Sequence, residues 1–288
     1  FFFSPGHSSF IMPVKFGDLA KTLNDLFKDD FGTETSFKHT SKSANGAKLE
    51  ASGKLKGDKP EGKLETSWSM FGFDFKESWS LDSKVTFEGA KKDFLADHKS
   101  KAVLEAKLHP ASGLEGLTFK SNAEIGAVHA DIKLSGANIP KALDAAAVYG
   151  TNVADLPLAV GLKVSTKNLW ESTPAFTSQL AVKAQPTSNQ FLYVNYGLDK
   201  GTIESAIYNK TDKMDFGAKV NYDNGSTKIT GVTSYALDAT STLKVRLDSK
   251  QNFDLATVHK VGVATISPSV AFSNGGAPGV GFSIKLSQ

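Results

Sequence analysis

Two hydrophobic periods divide the chain. Between Pro13 and Gly32 the apolar residues Phe16, Leu19, Leu23, Leu26 and Phe27 recur at steps of three and four, and Lys15, Asp18, Lys21, Asp25 and Lys28 take the other positions. That spacing predicts an amphipathic helix, with Pro13 suited to its first turn and Gly32 able to bend the chain after it. Beyond Gly32 the period becomes two. Leu64, Thr66, Trp68 and Met70 alternate with Lys63, Glu65, Ser67 and Ser69, and Ala102, Leu104, Ala106 and Leu108 with Val103, Glu105, Lys107 and His109. The same alternation runs through Val128–Leu134, Met214–Tyr222, Leu237–Leu247 and Val280–Leu286. It predicts strands with one apolar and one polar face.

Turn residues punctuate these runs. Asn45–Gly46 and Asn224–Gly225 are hairpin dipeptides. Gly57–Asp58–Lys59–Pro60, His109–Pro110, Gly136–Ala137–Asn138, Asp199–Lys200–Gly201 and Asn274–Gly275–Gly276 are further breaks. About seventeen to nineteen runs can be read, the weakest alternation lying near Ala142–Tyr149 and Phe253–Val258. Many have the roughly ten residues of a tilted transmembrane strand. A sheet this long must hide its edges by closing or by pairing with a second sheet. A closed barrel in lipid and a soluble β-sandwich binding protein are the two solutions. Short connections, charge on the polar phase of nearly every strand, and many small residues on the apolar phase favour the barrel.

Composition narrows the chemistry. Hydrophobic residues make up 40% and charged residues 22%, with a mean hydropathy of −0.21. Those figures fit a transmembrane barrel as well as a soluble protein, because a barrel strand mixes both faces. Cysteine is absent, which removes disulfides, thiolate nucleophiles and cysteine metal sites. The net charge is +3, and Arg246 is the sole arginine. Base readout leans on bidentate arginine, so no nucleic-acid readout is expected. His7, His39, His98, His109, His129 and His259 show no metal-ligand spacing, and no nucleophile elbow or P-loop occurs. The glycine-rich stretch Gly275–Gly279 leads into a strand and reads as a turn. Neither enzymatic activity nor a cofactor is expected. Three regions follow: residues 1–11 as an upstream or non-native extension before Met12, 12–32 as helix and hinge, and 33–288 as the barrel.

The ordered set of motifs resembles the mitochondrial porins, the voltage-dependent anion channels. Asp18–Leu19–Ala20–Lys21 is similar to the core of their amino-terminal helix, and EGKLETSWSMFGFDFKESWSLD (61–82) to their third and fourth strands. GLEGLTFKS (113–121) resembles their Gly-Leu-Lys element with Thr118 in place of lysine. YALDATSTLKVRLDSKQNFDLAT (235–257) resembles the family signature at Tyr235, Asp238, Arg246, Leu247, Asp248 and Ser249. The hinge departs from the family: Asp29, Asp30 and Thr33 stand among or beside positions where glycines are expected, and only Gly32 remains.

The resemblance implies an all-β transmembrane barrel of about nineteen strands with the helix inside the pore. It implies a voltage-gated, weakly anion-selective channel of the mitochondrial outer membrane for ions, ATP, ADP and phosphate. Partners would be the bilayer, permeating anions and nucleotides, a homo-oligomer, and cytosolic kinases docking on the barrel. The protein-import pore of the same barrel type is the alternative, disfavoured by a helix that follows Met12 so closely. Pore-lining, anion-attracting positions are Lys15, Lys21, Lys28, Lys63, Lys76, Lys107, Lys120, Lys244 and Arg246. Other basic residues on the polar phase are Lys48, Lys54, Lys133, Lys163, Lys183, Lys219 and Lys228. Glu77 falls on the lipid-facing phase among Phe73, Phe75 and Trp79, where a charge is costly.

Overall fold

The computed structural model describes residues 14–28, 30–56, 59–137 and 139–287. The expected extension over residues 1–11, the start at Met12, and Asp29 lie outside the described residues. A 3-10 turn (Phe16–Asp18) leads into α1 (Lys21–Lys28), so the helical segment is in two pieces. Nineteen strands follow. The first ten are β1 (Thr35–Lys42), β2 (Lys48–Lys56), β3 (Lys59–Met70), β4 (Phe73–Ser80), β5 (Val85–Lys92), β6 (Lys99–His109), β7 (Gly113–Ile125), β8 (Val128–Gly136), β9 (Ala142–Val153) and β10 (Leu156–Thr166). The rest are β11 (Phe176–Thr187), β12 (Gln190–Gly197), β13 (Thr202–Lys210), β14 (Met214–Asp223), β15 (Ser226–Ala236), β16 (Ser241–Asp248), β17 (Phe253–Val261), β18 (Ala264–Phe272) and β19 (Gly279–Ser287).

Each strand pairs antiparallel with its neighbour in sequence, and β1 pairs with β19 in parallel. The parallel pair follows from parity: in an up-and-down sheet of odd number, first and last strands point the same way. One continuous closed sheet leaves no edge exposed and excludes the two packed sheets of a sandwich. The two stretches of weakest alternation are strands after all, β9 and β17. Lys59 and Pro60, expected in a turn, open β3, a position where proline's missing N–H is tolerated.

Burial is inverted relative to a soluble domain. The outward phase carries exposed apolar side chains such as Leu64, Trp68, Leu104, Ile132, Leu162, Ile207 and Phe282. The buried apolar cluster lies on the lumen side instead. It joins Phe16, Leu19, Ala20, Leu23, Leu26 and Phe27 to wall residues including Val148, Ala159, Ala181, Phe191, Tyr208 and Val232. This explains the weak alternation of β9. Ala146 and Val148 on its inward phase are apolar because the helix, and not water, covers them.

Candidate permeation pathway

The helical segment lies inside the barrel along β9–β15. All five residues of its predicted apolar stripe are buried, Leu19 and Leu23 completely. Two glycines make the seat. A Cβ on Gly161 would stand 2.8 Å from the Phe16 ring, and one on Gly217 would stand 2.6 Å from Leu23. The wall contributes Tyr193 and a stacked Phe191–Tyr208 pair, ring centroids 5.1 Å apart, to the same cluster.

The end of α1 is held by charge. Arg246 donates from Nη1 to the Phe27 carbonyl at 2.6 Å, satisfying one of the carbonyls a helix leaves open at its carboxy end. Its Nε lies 2.6 Å from Asp254, and its guanidinium covers the Phe31 ring at 4.7 Å. Asp30 follows in the left-handed region, at φ 70. The bend expected at Gly32 is therefore made by an aspartate, one of the few non-glycine types that tolerate it. Its carboxylate accepts from Lys244 Nζ at 2.7 Å and from Ser267 Oγ at 3.3 Å, and Lys285 Nζ stands 3.7 Å away. Ser269 Oγ donates to the Gly32 carbonyl. Gly281 faces that carbonyl so closely that a Cβ there would lie 1.8 Å from it. The linker before β1 is thus tied to β16, β18 and β19.

The opposite wall, β1–β8, is bare and charged. Glu50 sits between Lys38 (2.8 Å) and Lys48 (3.0 Å), Glu65 between Lys63 (2.7 Å) and Lys76 (2.9 Å), and Glu105 between Lys120 (2.7 Å) and Lys107 (3.4 Å). In each unit the carboxylate lies low against the wall and the lysine heads stand out into the lumen. Each unit keeps one net positive charge. Between the helix and this wall is a cavity of about 740 Å³ lined by Lys15, Asp18, Asn24, Glu88, Lys101 and Lys133 among others.

The basic residues singled out in the sequence therefore separate into groups. Lys63, Lys76, Lys107 and Lys120 form the bare-wall units. Lys15, Lys21 and Lys28 are exposed on the helical segment, with Lys21 paired to Asp25. Lys244 and Arg246 face inward but are engaged with the linker and helix end. Lys219 lies over the Phe27 ring at 5.2 Å and 3.5 Å from Glu204. Lys48, Lys54, Lys133, Lys163, Lys183 and Lys228 are on the inward phase as well, by register. Glu77 falls on the outward phase, opposite Thr66 and Phe87. Sequence reasoning missed the inward apolar positions Val148, Ala159, Ala181 and Val232. Their signal was visible: strands apolar on both phases in a barrel otherwise polar inside.

A profile of the eukaryotic porin family matches residues 12–267. Comparison with curated proteins gives no match. Among solved structures, the translocation pore of the P pilus usher (PapC) aligns at 11% identity with a TM-score of 0.34, a likeness too slight to bear on fold or function. The alignment covers 78% of this chain and 57% of that one. The family profile spans most of the chain, and the nineteen-stranded closed sheet around an inner helix agrees with it. This chain belongs to the eukaryotic porin family, and so is a β-barrel channel of the mitochondrial outer membrane and not an enzyme.

Proposed function

We propose that this porin is a voltage-gated, weakly anion-selective channel that passes ions and small anionic metabolites such as ATP, ADP and inorganic phosphate. The observation that carries the reading is the repeated lysine–glutamate–lysine unit on the bare wall. Fixed charge on the wall of a wide, water-filled lumen biases permeation by its field and not by a tight filter. The field decays over about 8 Å at physiological ionic strength, so the bias is weak. Voltage sensitivity would come from charges that move with the helical segment, since one charge crossing the whole potential is worth about 2.3 kcal/mol per 100 mV. Residues 12–32 then form the gating unit and 33–288 the conduit. The family resemblance adds a second copy and cytosolic kinases as partners of the barrel.

Planar-bilayer recording in a salt gradient tests the selectivity. Replacing Lys63, Lys76, Lys107 and Lys120 by Glu should move the reversal potential toward cation preference. An unchanged reversal potential would show that this wall does not set selectivity.

A further inference from the structure

Apart from the histidines His39 and His259, the outward phase of the described strands carries just two acidic or basic side chains, Glu77 on β4 and Lys91 on the adjoining β5. Glu115 stands apart, at the β-bulge of β7, where alternation is interrupted. Lys91 is paired across the sheet with Phe73, the first residue of β4 after the β3–β4 turn. Its ammonium lies 5.0 Å from the centre of the Phe73 ring. It also borders Gly72, where a Cβ would come within 3.2 Å of the ammonium. The side chain is half-buried and has no carboxylate partner among the described residues.

Its surroundings are largely apolar. The turn beyond it is apolar, running Met70–Phe71–Gly72–Phe73, and Phe71 at its tip is 86% exposed. On the other side Leu95 donates its N–H to Ser100 Oγ at 2.9 Å, and Ser100 is an outward-phase residue. Leu95 is thereby tied to the outward-phase Ser100 at the β5–β6 connection, where Phe94 and Leu95 are both exposed. Below Lys91 run Phe73, Phe75 and Trp68, with centroid separations of 6.3 Å and 5.9 Å. Apolar groups thus lie both above and below the ammonium. Lys91 lies at the strand end beside the β3–β4 turn, and a lysine there can extend its ammonium toward the bilayer interface.

We infer that Lys91, seated on Phe73 beside Gly72, is a binding site for the headgroup phosphate of an anionic phospholipid whose acyl chain lies against Phe75 and Trp68. Charge complementarity selects the occupant: the Lys91 ammonium has no carboxylate partner among the described residues, and the bilayer supplies phosphate. The aromatic face adds cation–π support without neutralising the charge. Lys92, one residue on, points inward and pairs with Asp74 at 2.8 Å, so it does not share the site.

Trp68 is a reporter two rings from the ammonium, and the chain has three tryptophans. In a Trp79→Phe, Trp170→Phe background, the full chain is reconstituted in phosphatidylcholine vesicles. These contain a minor fraction of either phosphatidylglycerol or phosphatidylcholine brominated in the acyl chain. Brominated phosphatidylglycerol should quench Trp68 preferentially, with an enrichment of about five-fold, the factor one basic residue supplies near a charged surface. Lys91→Gln should abolish the preference, Lys91→Arg should keep it, and Lys92→Gln should leave it unchanged. Soluble glycerol phosphate should not displace the lipid; displacement would identify a free-phosphate site and overturn the proposal. Equal quenching by both lipids in the unsubstituted background, or a preference that survives Lys91→Gln, would overturn it as well.

Discussion

Replacing Asp30 by Asn removes the charge at the end of the helix and little else. The amide keeps the shape of the carboxylate and tolerates a backbone at φ 70. The Lys244 contact at 2.7 Å joins side chains only 13% and 11% exposed. A charge-assisted hydrogen bond in such a place contributes about 1.5–3 kcal/mol. The Lys285 contact, at 3.7 Å with the lysine 53% exposed, adds about 0–1 kcal/mol. The linker should therefore loosen by about 2–3 kcal/mol, a roughly 30- to 150-fold rise in its local opening. The apolar seat is untouched, because Leu19 and Leu23 pack against wall positions well away from Asp30. Hydrogen–deuterium exchange of the protein in lipid should show peptides over residues 24–34 exchanging faster, with residues 16–20 unchanged. A double-mutant cycle with Lys244→Met isolates the pair. Exchange identical to wild type over residues 24–34, or strictly additive effects in the cycle, would refute the charge-held end.

Gly217→Leu should push Leu23 off its seat at a cost of about 1–3 kcal/mol, and proteolysis should cut the helical segment faster while barrel melting changes little. A helix as protected as before would mean that Gly217 is not its seat. Outside the strands, Lys84 at 2.6 Å and then Ser80 hold the Asp82 carboxyl below its ordinary 3.8, at about 2. The backbone N–H of Thr240, at 2.7 Å, and then its hydroxyl do the same for Asp238. Because both values are depressed, the contributions are complete above the ordinary carboxylate range and vanish as pH falls through about 2. NMR titration should place both inflections there, and high salt should raise that of Asp82 but not that of Asp238, since only the first depends on an ion pair. Glu77→Gln should slow hydrogen exchange over residues 61–89 by removing a charge from the lipid-facing phase; equal exchange from pH 5 to 8 would count against that placement.

The strands of this barrel were legible where lumen and lipid make opposite demands on a strand. Met214 to Tyr222 alternates openly because Asp215, Lys219 and Asn221 face the lumen. β9 reads poorly because the helix makes its inner face apolar as well, and one periodicity cannot report two apolar neighbours. The inward direction of the lysines was legible for the same reason, but their employment was not. Lys63 and Lys244 sit in identical alternation, and only the path of the helix decides that one stands on the bare wall while the other clamps Asp30. Asp30 itself stood out as an acid among or beside expected glycines. Its partners come from three strands more than two hundred residues away, and no local pattern carries that information. The parallel seam was equally hidden, since β1 and β19 look like any other strands until the count is known to be odd.

Assembly kinetics follow from where the linker is tied. Every antiparallel pair joins strands adjacent in sequence, but β1 must find β19 across almost the whole chain, Thr35 coming opposite Phe282. Loop-closure entropy grows with that separation, and such long-range pairing is slow. The groups that grip Asp30 and Gly32 belong to β16, β18 and β19, and the gripped residues immediately precede β1. A linker that docks before the seam forms would deliver the first strand to the last, turning a chain-wide search into local zippering. Asp30→Asn should slow ring closure during refolding into lipid more than it lowers the stability of the finished barrel. On that reasoning, the contact that steadies the helix end in the mature channel would serve earlier as the clasp of the closing ring.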